Sequence, residues 1–251
     1  MKIQQIRNAT LKIRYGDVVF LVDPWLQDKG TGMYAEPVRP EMVGVKSPLC
    51  DLPLSVGEIL EGVDYCLLTH IHEDHFTEDY LPKTIKLLTQ NEADASSVRE
   101  LGFMNVAAIG EDGMDIGSVH IAKAPALHGD NPAVVKRMGA VTGYLLTGEA
   151  KSLYIAGDTI FFSGVEQVLT ERKPDVIAVN CCEATMPMGR LLMNEPDLEA
   201  VSTLCPGSVV IATHLDAVNH ALLSSDDIRR FIAEKGLRNV LVPRNGETLQ
   251  F

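Results

Sequence analysis

The segment Thr69-His70-Ile71-His72-Glu73-Asp74-His75 constrains this chain more than any other part of its sequence. Five of its side chains can bind metal or transfer protons, yet the whole chain of 251 residues contains only seven histidines. A mainly apolar run over residues 63–68 precedes the segment, so the histidines begin where a buried strand is expected to end. Binding sites of α/β proteins form at such strand ends. The sequence therefore predicts a metal site here.

The spacing within this segment indicates how its ligands are divided. Side chains on an extended strand end alternate with a period of two, so His70 and His72 point to the same side and reach one ion. The chain must turn after His72, which lets Asp74 and His75 face a second position. Imidazole and carboxylate ligands together suit Zn²⁺ and also admit Mn²⁺ or iron. The alternative interpretation is a histidine-rich surface loop that binds no metal.

Three more candidate ligands follow predicted strands later in the chain. His128 lies in a loop with flanking proline and glycine, and Asp158 stands in a Gly-Asp-Thr turn at the end of an apolar strand. His214 follows an apolar strand and a threonine, as His70 does. Beside the histidine segment, Asp158 is a candidate carboxylate bridge between two ions.

Three further polar residues have more than one interpretation. Asp23 ends the third predicted strand, where it either caps local amides or orients a ligand histidine. His220 either replaces His214 as a ligand or contacts the substrate, and we favour His214 because it ends its strand directly. His120 lies inside a predicted strand and is left out of the site.

The rest of the sequence alternates strand-like and helix-like segments. Residues 27–53 are rich in Gly and Pro and predict a long irregular loop that forms part of the substrate wall. Ser55 and Glu58 predict a capping box for a helix over 55–61, and a short helix is expected to begin at Thr77. The other predicted strands span 3–6, 10–14, 18–22, 85–89, 106–109, 118–124, 140–147, 152–156, 175–179, 208–212, 240–242 and 248–251, and the other helices span 94–101, 165–171, 198–204 and 226–235.

Composition excludes several classes of protein. Hydrophobic residues make up 46% of the chain, enough for a large core, and we expect one domain over residues 1–251. The sequence shows no signal-peptide core and no membrane span, so a cytoplasmic location is expected. The five cysteines are expected to be free, with the adjacent Cys181 and Cys182 as core thiols near the site. A net charge of −12 argues against nucleic acid as a partner.

The motif His70-x-His72-x-Asp74-His75, followed in order by His128, Asp158 and His214, resembles the metallo-β-lactamase fold hydrolases. The resemblance covers essentially the whole chain, and Asp23 matches the early strand-end aspartate of that family. It implies a four-layer αββα sandwich of the α/β class, with a two-metal site along one edge. In that family's arrangement, the first ion would be held by His70, His72 and His128, the second by Asp74, His75 and His214, and both would be bridged by Asp158.

The resemblance also implies a hydrolase. Two divalent ions, zinc first with manganese or iron as alternatives, would share a hydroxide that attacks a small-molecule ester, lactone or phosphoester. Asp74 would orient the water or pass its proton to the leaving group. Within the family, the chain looks most like the branch that contains ascorbate-6-phosphate lactonase. Lys136, Arg137 and Arg190 are candidates for binding an anionic substrate.

Two other functions stay open at this point. A ribonuclease Z-like nuclease or phosphodiesterase fits the first motif, but this acidic chain does not indicate an RNA-binding surface. A metal-binding protein without turnover is the other alternative, although a protein that has lost activity normally has gaps in its ligand set. The expected partner is a small-molecule substrate, and association into a homo-oligomer is left open.

Overall fold

The computed structural model describes residues 1–251, which form sixteen strands and six α-helices. The strands are β1 (Lys2–Arg7), β2 (Thr10–Tyr15), β3 (Val18–Val22), β4 (Tyr65–Leu67), β5 (Lys86–Thr89), β6 (Asn105–Ala108), β7 (Met114–Ile116), β8 (Val119–Ala124), β9 (Gly143–Thr147), β10 (Leu153–Ile155), β11 (Val176–Asn180), β12 (Thr185–Met186), β13 (Gly189–Arg190), β14 (Val209–Thr213), β15 (Val240–Leu241) and β16 (Thr248–Gln250). The helices are α1 (Val56–Leu60), α2 (Glu92–Glu100), α3 (Pro132–Met138), α4 (Ser163–Arg172), α5 (Glu195–Leu204) and α6 (Ser225–Lys235).

Fourteen of the strands form two seven-stranded sheets. The first sheet has the order β16-β1-β2-β3-β4-β5-β6, and the second has the order β15-β14-β11-β10-β9-β8-β7. Strands β3 to β6 are parallel, as are β10, β11, β14 and β15. In the first sheet, β2 lies between β1 and β3 and is antiparallel to both, so β1 runs in the same direction as β3. In the second sheet, β9 lies between β8 and β10 and is antiparallel to both, so β8 runs in the same direction as β10. In each sheet, the carboxyl ends of these strands therefore lie along one edge.

Both faces of each sheet are buried by side chains that point alternately to one face and the other along each strand. Phe20 of β3 enters the core between the sheets, while Leu21 beside it packs against the helices that cover the first sheet. In β11, Val176 faces the same inter-sheet core and Ile177 packs in the cluster on the other side of the second sheet. Successive side chains of a strand point to opposite faces, so one apolar run serves two cores.

Helices complete the outer layers. Ile59 of α1 and Val98 of α2 pack in the cluster on the first sheet, and Val165 of α4, Val201 of α5 and Ile228 of α6 pack in the cluster on the second sheet. The order of layers is therefore helix, sheet, sheet, helix, and the predicted four-layer αββα sandwich is confirmed. None of the helices combines the length and the apolar character needed to cross a bilayer.

One local prediction about helices is wrong, and one helix was not predicted. Residues 77–80 form turns rather than a helix, because Tyr80 adopts a left-handed conformation with φ of 71° and Pro82 follows soon after it. Helix α3 was not predicted, although Asn131 accepts hydrogen bonds at its start and Pro132 occupies the first turn. The capping box of Ser55 and Glu58 at α1 is confirmed.

The loop over residues 27–53 is irregular apart from one short turn of 3₁₀ helix, as predicted. Its two ends are held together by the fully buried Arg7, whose guanidinium donates to the carbonyl oxygens of Trp25 (2.9 Å), Gln27 (2.8 Å) and Cys50 (3.1 Å). Its middle is held by Asn219, whose Nδ2 donates to the carbonyl oxygen of Ala35 at 2.7 Å. The loop is thereby fixed to the segment that joins His214 to His220.

Candidate metal centre

Every predicted ligand follows a strand whose carboxyl end lies on the same edge of the fold. Asp23 follows β3, the segment His70–His75 follows β4, His128 follows β8, Asp158 follows β10 and His214 follows β14. Residues that are far apart in sequence therefore meet at one place. Their ligand atoms form three groups, of which the first cluster and the second cluster, defined below, have no residue in common, while the third group joins them through His70, His75 and Asp158.

The first cluster consists of His70, His72 and His128. Its closest ring nitrogens, His70 Nε2 and His72 Nδ1, are 2.9 Å apart. Asp158 Oδ2 lies 3.4 Å from His128 Nε2 and 3.9 Å from His70 Nε2. His70 and His128 are buried, while His72 is partly exposed, so the cluster has one side turned toward solvent.

The second cluster consists of Asp74, His75 and His214, all of them buried. The Nε2 atoms of His75 and His214 are 3.2 Å apart, and Asp74 Oδ2 lies 3.3 Å from His214 Nε2. Asp158 Oδ2 lies 3.1 Å from His75 Nε2, so this carboxylate faces both clusters. The bridging role of Asp158 stays a prediction.

These separations fit the coordination shell of an ion. Nitrogen and oxygen ligands about 2.0–2.1 Å from Zn²⁺ are about 2.9–3.4 Å apart for bond angles between a right angle and the tetrahedral angle. The contacts between His70 and His72, between His75 and His214, and between His214 and Asp74 all fall within this range. A cation between these atoms interacts favourably with all of their lone pairs at once. Hydrogen bonds among the same atoms cannot satisfy all of these lone pairs.

The other ring nitrogen of each histidine in the first cluster has a fixed partner. Thr69 Oγ1 lies 3.0 Å from His70 Nδ1, the carbonyl oxygen of Met138 lies 3.0 Å from His72 Nε2, and that of Leu191 lies 3.2 Å from His128 Nδ1. Such contacts fix the ring orientation and decide which nitrogen is free for metal. Met138 is the last residue of α3, so the helix that the sequence did not predict supports His72.

In the second cluster, side chains hold the outer ring nitrogens. Asp23 Oδ2 lies 2.8 Å from His75 Nδ1, and Cys182 Sγ lies 3.5 Å from His214 Nδ1. Asp23 also accepts from the amide (2.8 Å) and the hydroxyl (2.7 Å) of Thr69, next to the first ligand. Of the two interpretations of Asp23, the contact with His75 supports an orienting role.

Electrostatics differ between the two clusters. Burial lowers the pKa of His75, but neighbouring carboxylates, with Asp158 foremost, outweigh it and raise that pKa to about 10. Burial also opposes the charged form of His214, yet Cys182 and Asp158 raise its pKa well above the usual range. In the first cluster, burial lowers the pKa of His70 and of His128, and nearby histidines lower both further.

The carboxylates of the site stay ionised. Burial disfavours the charge on Asp158, but His75 and His214 outweigh that effect and hold the pKa of its carboxyl well below the usual range. Asp74 shows the same balance, and its pKa is also lowered. Asn180 Nδ2 donates to Asp158 Oδ1 at 2.7 Å, which leaves Oδ2 facing the histidines. Ionised oxygens are the form that binds cations.

The two remaining histidines, His220 and His120, belong to neither cluster. His220 is buried next to the site but joins neither cluster, and its Nδ1 has no hydrogen-bond partner. Burial lowers its pKa to about 4, so the imidazole is neutral near pH 7. His120 is partly exposed and contacts Asp115 at 2.6 Å, far along β8 from the clusters.

The sequence analysis did not identify some of the residues that contact the predicted ligands. Asn8, Met138 and Asn180 contact ligands but were not singled out, since their role depends on partners from distant strands. Asn180 precedes the adjacent cysteines at the end of β11, so the strand-end rule would have found it. Cys181 and Cys182 are free and buried, as predicted, and only Cys182 contacts a ligand.

None of the three candidates for binding an anionic substrate forms an ion pair with a carboxylate of either cluster. Arg190 Nη1 contacts Asp197 Oδ2 at 2.5 Å and donates to the carbonyl oxygen of Leu192 at 2.9 Å. Lys136 and Arg137 lie on the exposed face of α3. No lysine or arginine forms an ion pair with a carboxylate of either cluster.

Comparison with known proteins identifies the superfamily of this chain. The family model of the β-lactamase superfamily domain matches residues 2–214. The UPF0173 protein YddR of Bacillus subtilis is 38% identical over 258 residues, covering 100% of both chains, and a UPF0173 metal-dependent hydrolase of Nanoarchaeum equitans is 27% identical over 201 residues, covering 76% of this chain and 87% of that one. The isothiocyanate hydrolase from Delia radicum gut bacteria has a crystal structure with a TM-score of 0.93 and 32% identity, covering 100% of this chain and 99% of that one.

A four-layer sandwich with histidine and aspartate ligands at one edge defines a metal-dependent hydrolase of the β-lactamase superfamily. Within that superfamily, the chain belongs to the UPF0173 metal-dependent hydrolases. The predicted superfamily and the predicted enzyme class are therefore confirmed. The comparisons do not confirm the finer resemblance to ascorbate-6-phosphate lactonase.

Proposed function

We propose that the chain hydrolyses a small neutral electrophile, using two divalent cations held by the first and second clusters, with zinc first and manganese or iron as alternatives. The observation that carries the proposal is the convergence of ligand atoms, which lie within 4.8 Å of one another in each cluster, with closest contacts of 2.9 Å in the first cluster and 3.2 Å in the second. His70, His72 and His128 would hold one cation, Asp74, His75 and His214 the other, and Asp158 both. Bound there, the cations would lower the pKa of water and stabilise negative charge on the substrate.

The protein contributes proton transfer and orientation beside the cations. Asp74 is ionised and its Oδ2 faces His214, so it can accept the proton of the attacking water and return it to the leaving group. Asp23 and Asn180 keep His75 and Asp158 in the orientation that this chemistry requires. His220 presents a neutral imidazole with an unpaired Nδ1, and we propose that it contacts the substrate.

Isothiocyanates are the substrate class that we place first. The relative with 32% identity over the whole chain is named as an isothiocyanate hydrolase. In such a reaction the water oxygen bonds to the central carbon, the bond from carbon to nitrogen breaks, and the nitrogen receives both protons of the water. The products are a primary amine and carbonyl sulfide. We propose that Asp74 moves a proton toward that nitrogen.

The surroundings of the site support a neutral substrate with an apolar group. Met138 and Met186 are partly buried and pack on the apolar cluster of the second sheet. The carbonyl oxygen of Met138 contacts His72, and Thr185, next to Met186, donates its amide to the His220 carbonyl at 2.9 Å. Both methionines thus lie beside site residues, and flexible thioether side chains adapt to varied apolar groups.

Esters, lactones and phosphoesters remain alternative substrates, since the same centre activates water for each of them. A lactone would agree with the resemblance to the ascorbate-6-phosphate lactonase branch, and a phosphodiester would agree with the nuclease alternative. A phosphomonoester fits less well, because Arg190 is already engaged by Asp197. A metal-binding protein without turnover is the remaining alternative.

A hydrolysis panel tests the proposal. Purified protein is assayed for metal content and then given benzyl isothiocyanate, a γ-lactone, a phosphomonoester, a phosphodiester and a thioester, with and without a chelator. We expect two metal ions per chain, and amine release from the isothiocyanate that stops with chelator and returns with Zn²⁺. Activity that survives removal of all metal would contradict the mechanism. Metal-dependent turnover of another substrate would contradict only the choice of isothiocyanates, and bound metal without any turnover would favour the binding protein.

A further inference from the structure

Asn8 has a left-handed backbone conformation, for which asparagine is not the most favourable residue. It lies in the two-residue turn between β1 and β2, with φ of 55°, in the left-handed region. Asparagine tolerates this region better than most residues, but glycine adopts it at less cost. The turn by itself would therefore be served at least as well by glycine.

The turn is fixed to the end of β14 by its backbone. The carbonyl oxygen of Asn8 accepts from the His214 amide (3.1 Å), from Thr213 Oγ1 (2.7 Å) and from Gln5 Nε2 (2.8 Å). Three donors on one carbonyl leave the turn little freedom. The side chain of Asn8 is thus held at the same edge as the ligands, where β1 ends.

The side-chain amide of Asn8 is fully buried beside the second cluster. Its Nδ2 donates to the carbonyl oxygen of Asp74 at 3.0 Å and lies 3.1 Å from His214 Nε2. That nitrogen of His214 is the one that faces Asp74 and His75. The Oδ1 atom of Asn8 is buried and has no hydrogen-bond partner. The amide therefore contacts two residues of the second cluster and has unused hydrogen-bonding capacity.

The contact with Asp74 decides which end of the amide faces the site. Exchanging Nδ2 and Oδ1 would bring two carbonyl-type oxygens, Oδ1 of Asn8 and O of Asp74, to 3.0 Å without a proton between them. The NH₂ group therefore points at His214 Nε2. An amide NH₂ group has no lone pair to offer a cation, so it acts only as a donor.

A cation held by the second cluster would use the lone pair of His214 Nε2. One N–H of Asn8 would still bond to Asp74, and the other would need a new acceptor, because a buried donor without a partner is destabilising. The acceptor that the site offers is an electron-rich atom of whatever molecule binds at the second cluster. Donors aimed at developing negative charge are a common means of stabilising transition states.

We propose that Asn8 donates a hydrogen bond to the atom that carries negative charge in an anionic ligand at the second cluster, or that develops it in the substrate during the reaction. The inference rests on the proposed metal-dependent function. It adds an anion-binding residue from the first hairpin to a site whose ligands come from later strands. It also accounts for asparagine, rather than glycine, in this left-handed turn.

Binding of azide, a small linear anion, tests the proposal with a readout other than turnover. Azide is titrated by calorimetry into the full-length chain loaded with Zn²⁺, as wild type and as Asn8→Gly, which suits the positive φ and removes only the side chain. We expect zinc content to stay the same and azide binding to weaken about tenfold to a hundredfold, the effect of losing a hydrogen bond to a charged group. Ala9→Gly is the matched control in the same turn and should bind azide as wild type does.

Asn8→Asp is the second variant, because aspartate also tolerates the left-handed turn but offers no donor. It should likewise retain zinc and bind azide more weakly. Equal azide affinity in wild type and in Asn8→Gly would overturn the proposal while leaving the metal centre intact. Loss of zinc in Asn8→Gly would also overturn it, since Asn8 would then act on the metal ligands. A wild-type chain that binds none of Zn²⁺, Mn²⁺ and iron would defeat the proposed function as well.

Discussion

Asp158 contacts a histidine of the first cluster and one of the second, but the two clusters differ in charge and in support. The first has three histidines and no carboxylate of its own, and backbone carbonyls of Met138 and Leu191 hold two of its rings. The second includes the carboxylate of Asp74, and the side chains of Asp23 and Cys182 hold its two rings. One edge of the fold therefore combines a set of ligands close to neutral with a strongly charged set.

This difference shows that burial and charge act in opposite directions on the histidines of the two clusters. Burial keeps His70 and His128 unprotonated, which leaves their lone pairs free for metal near neutral pH. In the second cluster, carboxylates hold protons on the histidines, and a cation has to displace those protons. We expect the second cluster to bind a cation more tightly at high pH and to lose it first as the pH falls.

The largest expected effect comes from removing one ligand of each cluster. His72→Ala should remove the ion of the first cluster and His214→Ala the ion of the second, because each loses one of three ligands of its own. Each variant should bind one metal ion per chain and lose most of its activity. Elemental analysis and the hydrolysis assay measure both quantities.

His120→Ala is the matched control for these two variants, since its ring contacts Asp115 and neither cluster. It should retain both metal and activity. Loss of both ions in His72→Ala and in His214→Ala alike would show that the clusters fill only together, and an equal loss in His120→Ala would mean that the histidines are wrongly divided.

Asp23→Asn should give the next largest effect. The amide keeps the shape of the side chain but removes the carboxylate that His75 Nδ1 contacts at 2.8 Å. Metal affinity of the second cluster should fall about 10–100-fold, as is usual for losing such a partner, while the first cluster changes less. Competition with a fluorescent chelator measures both sites. A uniform loss at both clusters, together with a lower melting temperature, would instead indicate a role in folding, because Asp23 also binds Thr69.

The two clusters should differ in how strongly their metal affinity depends on pH. Each proton that a bound cation displaces changes the metal affinity by about tenfold per pH unit. The pKa of His75 is raised to about 10, so below that pH its proton competes with a cation, and affinity at the second cluster should rise with pH through neutrality. The lowered pKa values of His70 and His128 predict no proton release from these two residues near pH 7. Calorimetry in buffers of different ionisation enthalpy counts the protons. His214→Ala, which keeps the first cluster, should release fewer than wild type.

Cys182→Ser should have the smallest effect. A hydroxyl can accept from His214 Nδ1 as the thiol does, and the present contact is long, at 3.5 Å. Metal affinity should change less than about tenfold, which is the smallest loss expected when a carboxylate partner such as Asp23 is removed. Cobalt substitution and visible spectroscopy report on the geometry of the second cluster. An effect as large as that of Asp23→Asn would show that sulfur has a specific role there.

Much of the fold was predictable because its signals are local. Alternation of apolar residues located most strands, and the capping box placed α1, since both depend on neighbours in sequence. The helix expected at Thr77 failed because the left-handed Tyr80 and the nearby Pro82 end any helical geometry. Helix α3 was missed although Asn131 and Pro132 signal its start, and the pairing of β16 with β1 joins the two chain ends in a way that no local pattern specifies.

The sequence by itself determined that the segment His70–His75 would place several ligands at one strand end, because their spacing acts within a few residues. Only the tertiary structure decided which distant residues complete the site. His128, Asp158 and His214 meet this segment because their strands share one direction in two packed sheets. The partners that orient the ligands, and the contact of Asn8 with His214, arise from the same packing, since hydrogen bonds between distant side chains depend on position in space and leave no periodic trace in the chain.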